Sequence, residues 1–182
     1  MHDKDEKATM EILIDTYHET SHDKSVMDIL DHLLSEELKH KISRKTDNML
    51  NWSSFPFRKT MEDLDFSFRP LIDRSVIDNP MTMRYIHNIK NVVFLGPPGV
   101  GKTHLSVALG MYAIMSDIPV YYTSALKLVR ILKRDYDLKT LEYRIKTYSR
   151  FRLMIVYEIG YHPFSRGEAN PFFQFVSSRY EK

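Results

Sequence analysis

The stretch from Gly96 to Thr103 has the residue types and the spacing of a phosphate-binding loop. Its sequence, Gly-Pro-Pro-Gly-Val-Gly-Lys-Thr, fits the pattern G-x-x-x-x-G-K-[ST]. Glycines allow the backbone conformations in which successive N–H groups surround a phosphate. Lys102 would add a positive charge for the outer phosphates, and the Thr103 hydroxyl would ligate Mg²⁺. The motif therefore predicts a nucleoside triphosphate site, with ATP and Mg²⁺ as the expected ligands.

The sequence around this loop predicts the elements that would position it. Val92–Leu95 is a short apolar run, typical of a buried strand, and the residues from His104 to Leu109 have helical spacing. A strand, a loop and a helix in this order are the context that the motif requires, because the helix N-terminus favours an anion. The residues predicted to contact the nucleotide are Gly96, Pro97, Pro98, Gly99, Val100, Gly101, Lys102, Thr103 and His104.

A second apolar run, Leu153–Val156, is followed by Tyr157 and Glu158. In phosphate-loop ATPases such a strand usually ends in Asp-Glu, whose carboxylates face Mg²⁺ and the attacking water. Glu158 and Lys102 are therefore the predicted catalytic residues. A phenol carries no charge near pH 7 and cannot replace a carboxylate, so Tyr157 predicts impaired hydrolysis. The alternative is that Thr103 and the phosphates hold Mg²⁺ adequately without a carboxylate at this position.

Composition excludes several other classes of protein. A hydrophobic content of 43% supports a folded core, and the absence of cysteine excludes disulfides and thiolate metal sites. None of the eight histidines forms an H-E-x-x-H pair. No apolar run approaches the roughly 20 residues of a membrane span, and the first residues are too charged for a signal peptide. We therefore expect a cytoplasmic protein with no membrane partner.

The net charge of +2 is unevenly distributed along the chain. Residues 1–50 have a net charge of −5, whereas residues 126–152 have a net charge of +6. The basic segment predicts non-specific contacts with DNA phosphates, and a solvated helix face explains the same pattern. The predicted DNA-binding residues are Lys127, Arg130, Lys133 and Arg134, and Lys139, Arg144, Lys146, Arg150 and Arg152 extend the run.

Apolar spacing predicts strands that alternate with helices, and this order is typical of an α/β fold with a parallel sheet. Strands are predicted at 91–95, 119–123 and 152–157, and helices at 25–45, 81–89, 125–134, 138–149 and 169–180. The apolar face of the 25–45 helix would pack in the core or dock a partner protein. Residues 46–60 are predicted to be a linker. Nearby aromatic residues would pack on the core or share in an adenine pocket; these are Phe55, Phe57, Phe66 and Phe68.

Several runs resemble the IstB-like ATPases, which are helper proteins of insertion-sequence transposition and are similar to helicase loaders of the DnaC type. The runs are Phe55–Thr60, Asp65–Phe68, Asn91–Leu105, Val120–Thr123, Glu158–Pro163 and Ala169–Glu181. Both groups are AAA+ ATPases. The resemblance implies a three-layer, parallel-sheet P-loop NTPase core in residues 55–182. It also implies a helical segment in residues 1–54 that contacts the transposase and, for complete family members, an ATP-dependent homo-oligomer on DNA.

The resemblance further implies a core that is incomplete at its C-terminal end. The family's strand order is 5-1-4-3-2, and the chain stops where strand 4 would begin, before the sensor residue, the arginine finger and the lid. We therefore expect the strands at 119–123 and 152–157 to pair in parallel, with 91–95 separated from them. Three functions remain open: a transposition helper with impaired hydrolysis, a non-enzymatic nucleotide- or partner-binding fragment, and a replicative helicase loader of the DnaC type.

Overall fold

The structure, a computed structural model, describes residues 26–63, 79–161 and 163–180. The chain divides into two units, 1–44 and 45–182. The helices are α1 (Val26–Ser53), α2 (Arg84–His87), α3 (Lys102–Met115), α4 (Ala125–Asp137), α5 (Leu141–Tyr148) and α6 (Arg166–Tyr180), and the strands are β1 (Val120–Ser124) and β2 (Leu153–Tyr157). No helix in these three ranges has both the length and the apolarity needed to cross a bilayer.

The sheet in the described part of the chain consists of β1 and β2, paired in parallel. Val120 lies opposite Leu153, and Ser124 lies opposite Tyr157. Parallel neighbours need a crossover connection, which α4 and α5 supply here. The expectation that the strands predicted at 119–123 and 152–157 pair in parallel is therefore confirmed.

The two faces of the sheet contribute to two separate apolar cores, because successive side chains of a strand point to opposite faces. The first core contains Leu105, Leu109, Ala113 and Ile114 of α3, Val120 of β1 and, packed against them, Leu153 and Ile155 of β2. The second contains Leu128, Leu132, Leu141, Tyr148 and Phe175 of α4, α5 and α6, with Tyr121, Met154 and Val156 packed against them. Helices thus lie on both faces, and the predicted α/β class is confirmed.

Local chemistry explains where the helices after β1 begin and end. The Ser124 hydroxyl accepts a hydrogen bond from the Lys127 N–H at 3.1 Å and caps the start of α4. The Glu168 carboxylate accepts bonds from the Ser165 N–H and hydroxyl, at 2.9 and 2.6 Å, at the start of α6. The helices predicted at 125–134, 138–149 and 169–180 correspond to α4, α5 and α6. The helix predicted at 81–89 is confirmed only as the short α2, since Met83 before it has a positive φ of 55°.

Two predictions of local structure are wrong. Residues 91–95 form no strand; Val93 is 72% exposed and Leu95 is 88% exposed. A strand needs a neighbouring backbone to satisfy its hydrogen bonds, and in the described residues β1 and β2 pair only with each other. Residues 46–53 are not a linker but the last turns of α1, because Met49 and Ser53, one turn apart, are both buried.

Some predictions fall on residues outside the described ranges. These are the first 25 residues of the predicted partner-binding segment, Phe66 and Phe68, and the Asp65–Phe68 run of the family resemblance.

Candidate functional site

The phosphate loop leads directly into α3, as the motif predicts. The helix begins at Lys102, and Gly101 is its N-cap with a φ of 85°. Gly99 has a φ of 81°, and both angles lie in the left-handed region, which would strain any residue with a Cβ. The Leu105 N–H donates to the Gly101 carbonyl at 2.9 Å, which is the first bond of the helix. In any α-helix, the first few backbone N–H groups have no acceptor within the helix itself. The N-terminal end of α3 therefore favours a phosphate.

Lys102 lies within this loop rather than pointing away from it. Its Nζ atom donates hydrogen bonds to the carbonyl oxygens of Gly96 and Pro97, each at 2.7 Å. The ammonium therefore spans the loop from its last residues to its first. This is where the motif predicts that an outer phosphate binds, and an ammonium is a compact charge with donors that can turn towards such a ligand.

His104, the last of the predicted nucleotide-contact residues, lies in the first turn of α3. Its ring meets the ring of Phe57 edge to face, with the centroids 6.0 Å apart. Phe55 packs against the first core. Core packing is one of the two roles that the sequence predicted for these aromatic residues. The segment after α1 therefore lies beside the start of α3, next to the phosphate loop.

Tyr157, at the end of β2, stacks on a ring of the neighbouring strand. The rings of Tyr157 and Tyr122 are 4.9 Å apart with 19° between their planes. Burial, together with the nearby Tyr157 and Glu158, raises the pKa of Tyr122 to about 12. Glu158 is exposed and has a φ of 59°, a conformation that non-glycine residues rarely adopt. The predicted catalytic carboxylate thus lies just past the strand, beside the stacked rings of Tyr157 and Tyr122.

The side chains predicted to lie near the nucleotide fit Mg²⁺ only in part. The exposed Thr103 hydroxyl is a suitable oxygen ligand. Tyr157, the last residue of β2, offers a phenol rather than a carboxylate, and Mg²⁺ prefers carboxylate and water oxygens. In the described part of the chain, no group of three or more His, Asp or Glu side chains could hold a metal ion. Any Mg²⁺ here would depend on Thr103 and on the phosphates of the nucleotide.

The four predicted DNA-binding residues all lie on α4, but their surroundings differ. Lys127 and Arg130 are exposed. The Lys133 ammonium lies 2.5 Å from the Asp137 carboxylate one turn later. Arg134 is committed to Asp135, to which its Nε and Nη2 atoms donate at 3.1 and 3.0 Å. Two of the four charges are therefore partly balanced within the helix, and Lys127 and Arg130 are the better placed for an external anion.

Asp135 is the centre of a charge cluster that the sequence did not reveal. Its side chain is only 4% exposed, and it accepts hydrogen bonds from Arg134 and from Arg144 of α5. Burial alone would raise the pKa of Asp135, but the hydrogen bonds and charges of Arg144 and Arg134 lower it below its usual value. Arg144, one of the residues predicted to extend the DNA-binding run, joins α5 to α4 through Asp135 and lies over the Tyr148 ring.

The part of α1 that belongs to the first unit exposes a row of apolar side chains. Their spacing of three and four residues places them on one side of the helix. They are Met27, Leu30, Leu34, Leu38 and Ile42, and their exposed fractions lie between 48% and 72%. Leu30, Leu34, Leu38 and Ile42, which belong to the apolar face that the sequence predicted, are thus exposed.

Comparison with known proteins places these features in a family. A model of the IstB-like ATP binding protein family matches residues 8–182. A relative from Bacillus thuringiensis subsp. berliner, named as an ATP-binding protein of insertion sequence IS232, is 35% identical over 87% of this chain and 63% of its own length. The corresponding protein of IS5376 from Geobacillus stearothermophilus is 33% identical over 89% and 64%. That of IS21 from Pseudomonas aeruginosa is 37% identical over 82% and 56%. The chain thus spans 56–64% of the length of these relatives.

Proposed function

Because the chain belongs to the family of IstB-like ATP binding proteins, we propose that it binds ATP in the phosphate loop and acts as a helper protein in insertion-sequence transposition. The observation that carries the proposal is the geometry of the loop. Gly101 caps α3, the helix begins at Lys102, and the Lys102 ammonium lies within the loop. The relatives named above are called ATP-binding proteins of insertion sequences, which supports both parts of the proposal.

Titration of the chain with ATP and Mg²⁺, followed by calorimetry, tests the first part. Lys102→Ala should lower the affinity for ATP by about tenfold or more, because it removes a charged hydrogen-bond donor to the phosphates. Lys90→Ala is the matched control, since Lys90 is an exposed lysine that lies six residues before the start of the phosphate loop at Gly96. An unaltered chain that does not bind ATP, or the same loss of affinity in both variants, would contradict ATP binding at the loop.

We expect the chain to hold ATP better than it hydrolyses it. Glu158 would orient the attacking water, and bound Mg²⁺ would supply the positive charge that balances the developing negative charge on the phosphate. Tyr157, stacked on Tyr122, places a neutral ring where a carboxylate is usual. Release of inorganic phosphate by the unaltered chain should therefore be slow, and Tyr157→Asp should raise it only in part because it also removes the ring stack. Turnover at ordinary ATPase rates without any substitution would contradict impaired hydrolysis.

The proposed DNA contacts involve the exposed Lys127 and Arg130 of α4. Phosphate contacts weaken steeply as salt concentration rises and carry no sequence information. Lys127→Glu with Arg130→Glu should therefore reduce binding to a random duplex and flatten its salt dependence, as fluorescence anisotropy would show. Lys59→Glu with Lys90→Glu changes the net charge equally and serves as the control. Binding that does not depend on salt, or that both double variants weaken equally, would exclude this face as the site.

The proposed protein partner is a transposase, which residues 1–54 would contact. The exposed side chains of Leu30, Leu34, Leu38 and Ile42 on α1 support this, because contiguous exposed apolar surface is typical of protein contact sites. Leu34→Ser with Leu38→Ser should weaken capture of the transposase from the same insertion sequence while ATP affinity stays unchanged. Glu37→Ser, on the polar part of the same helix, should leave capture intact. Equal capture by both variants would exclude the apolar row as the contact.

A further inference from the structure

A cavity of about 310 Å³ lies at the C-terminal end of α3, away from the phosphate loop. The helix contributes Tyr112 to its lining, and the turn after the helix contributes Ser116 and Ile118. Because a helix rises about 1.5 Å per residue, Tyr112 lies roughly 15 Å along α3 from Lys102. Sites for small molecules begin at roughly 300 Å³. The cavity is therefore separate from the phosphate loop and large enough for a compact ligand.

Part of the cavity wall is apolar and is held in place by the first core. Met83 and Ile118 belong to that core and are 5% and 4% exposed. Met81, which packs against the same core, also lines the cavity. Methionine side chains are flexible and polarizable, so they adapt to apolar groups of different shapes. This wall would therefore accept the apolar part of a ligand.

The rest of the lining is polar and favours negative charge. Arg152, just before β2, and His87, the last residue of α2, line the cavity from two different elements. Thr82, Tyr112 and Ser116 add residues with hydroxyl groups. None of the eight described residues that line the cavity is acidic. Since an arginine side chain is always charged and only donates hydrogen bonds, this lining suits an anion.

The groups at the end of α3 that would disfavour an anion are already occupied. The Ala113 carbonyl accepts a hydrogen bond from the Ile118 N–H, and the Ile114 carbonyl accepts one from the Asp117 N–H, each at 2.9 Å. Asp117 has a φ of 61°, so these bonds close the helix in the usual left-handed turn. The Asp117 carboxylate accepts a hydrogen bond from the Lys45 ammonium at 2.6 Å. Its negative charge is therefore balanced beside the cavity.

Arg152 lines the cavity from a fixed position in the backbone. Its carbonyl oxygen accepts a hydrogen bond from the Arg179 guanidinium of α6 at 3.3 Å, and its own side chain is exposed. Arg150, two residues earlier, is also exposed but is not among the described residues that line the cavity. The two arginines therefore differ in whether they border the cavity, which makes them a matched pair for a test.

We propose that this cavity binds a small organic carboxylate that carries an apolar group. The Arg152 guanidinium presents its donors as a planar fork that matches the two oxygens of a carboxylate. The apolar group would lie against Met81, Met83 and Ile118. Inorganic phosphate would match the charge and leave the apolar wall uncovered. An uncharged amide would match the wall and leave the guanidinium without an anion.

The test titrates the full chain with isocaproate, a branched aliphatic carboxylate, and follows the backbone amide signals by NMR. Isocaproate should shift the signals of residues 82–87 and 112–118 in a saturable way. Isocaproamide has the same carbon skeleton without the charge, so it should bind about tenfold more weakly or worse. Inorganic phosphate should leave these signals unshifted at the concentration at which isocaproate saturates them.

Substitution of the two arginines gives a second measurement. Arg152→Ala should lower the affinity for isocaproate by about tenfold, because it removes a charged hydrogen-bond donor. Arg152→Lys should restore only part of the affinity, since an ammonium keeps the charge but lacks the planar fork. Arg150→Ala makes the same change in net charge outside the cavity and should leave the affinity unchanged.

Several results would overturn the proposal. They are an unaltered chain without saturable shifts at these residues, equal affinity for isocaproate and isocaproamide, and equal shifts with inorganic phosphate. The same loss of affinity in Arg152→Ala and Arg150→Ala would also overturn it, because the effect would then come from net charge. If Arg152→Ala fails to fold, the comparison of the carboxylate with its amide on the unaltered chain still decides the question.

Discussion

Two runs of four apolar residues in this chain have the same pattern and different structures. Leu153–Val156 belongs to β2, whereas Val92–Leu95 forms no strand. β2 pairs with β1 and has helices on both of its faces. Of the other run, Phe94 packs against the first core, and no strand in the described part of the chain pairs with it. An apolar run becomes a strand only where the fold supplies a neighbouring backbone to pair with it.

Side-chain contacts fix the elements that connect to β2. The crossover from β1 to β2 consists of α4 and α5, which Asp135 joins through its two arginine partners. On the other side, the Arg179 guanidinium of α6 donates to the carbonyl oxygens of Phe151, at 3.2 Å, and of Arg152, at 3.3 Å. These bonds fix the chain just before β2. In residues 91–95, the Asn91 amide donates a hydrogen bond to the Tyr180 hydroxyl at 2.5 Å.

The largest expected effect comes from breaking the charge cluster behind β2. Asp135→Ala removes a carboxylate that is only 4% exposed and accepts hydrogen bonds from two arginines, and it should cost about 3 kcal/mol of unfolding free energy, because a hydrogen bond to a charged group contributes about 1.5–3 kcal/mol. Its control is Asp137→Ala, which removes the exposed pair with Lys133 and should cost at most about 1 kcal/mol. Urea denaturation of both variants measures the difference. Equal costs would mean that the crossover is not what holds β2 in place.

The next effect concerns the contact between α3, which follows the phosphate loop, and β2. Replacing a helical glycine with alanine usually stabilises a helix by about 1 kcal/mol. Gly110→Ala should do the opposite and cost about 1–3 kcal/mol, because the new methyl group would overlap Phe55 and Ile155. Phe55→Leu should recover part of that loss when combined with it.

Gly167→Ala on α6 is the control for the destabilisation expected from Gly110→Ala. A Cβ there would meet only the flexible Lys133 side chain, 3.1 Å away at Cε, so this variant should be neutral or stabilising. Thermal denaturation of the two variants provides the comparison. If Gly110→Ala is as harmless as Gly167→Ala, the gap at Gly110 does not position Phe55.

Low pH should reduce the unfolding free energy that Asp135 contributes, but by less than Asp135→Ala does. Protonation takes away the charge and leaves the carboxyl group in place. The pKa of Asp135 is lower in the folded chain than in the unfolded chain. Its contribution to stability is therefore complete above the unfolded pKa of about 3.9 and is lost as pH falls through the folded pKa. Urea midpoints measured from pH 6 downwards should fall more steeply for the unaltered chain than for Asp135→Asn. Parallel curves would contradict this assignment.

The sequence predicted the features that follow from local patterns. The strands at 120–124 and 153–157 were located to within one residue, because short apolar runs bounded by turn residues are distinctive. The loop at 96–103 was identified by its motif, and the resemblance to the IstB-like family is confirmed. Helix α4 was also predicted, since its apolar and basic residues separate on two sides.

Features that depend on distant contacts were missed. Asp135 meets Arg144, nine residues away, only because the chain turns between α4 and α5, and no local pattern of charged residues indicates that contact. The fit of Phe55 to Gly110 joins residues from two elements, and no spacing rule connects them. The end of α1 was placed too early because residues 46–53 lack a regular apolar period, although Met49 and Ser53 are buried.

The smallest change in unfolding free energy is expected in residues 92–95, just before the phosphate loop. Two neighbouring residues of this run test the contrast with β2. Leu95 is 88% exposed, so Leu95→Ala should change the unfolding free energy by less than about 0.5 kcal/mol. Phe94→Ala, its neighbour in the same run, should cost about 2 kcal/mol because its ring packs against the first core. Hydrogen exchange should agree, with the amides of residues 92–95 exchanging faster than those of 153–157, since only the latter lie in a paired strand. A large loss for Leu95→Ala, together with slow exchange at 92–95, would mean that this run is a buried strand after all. In that case the contrast with β2 would disappear, because both apolar runs would lie in a paired sheet.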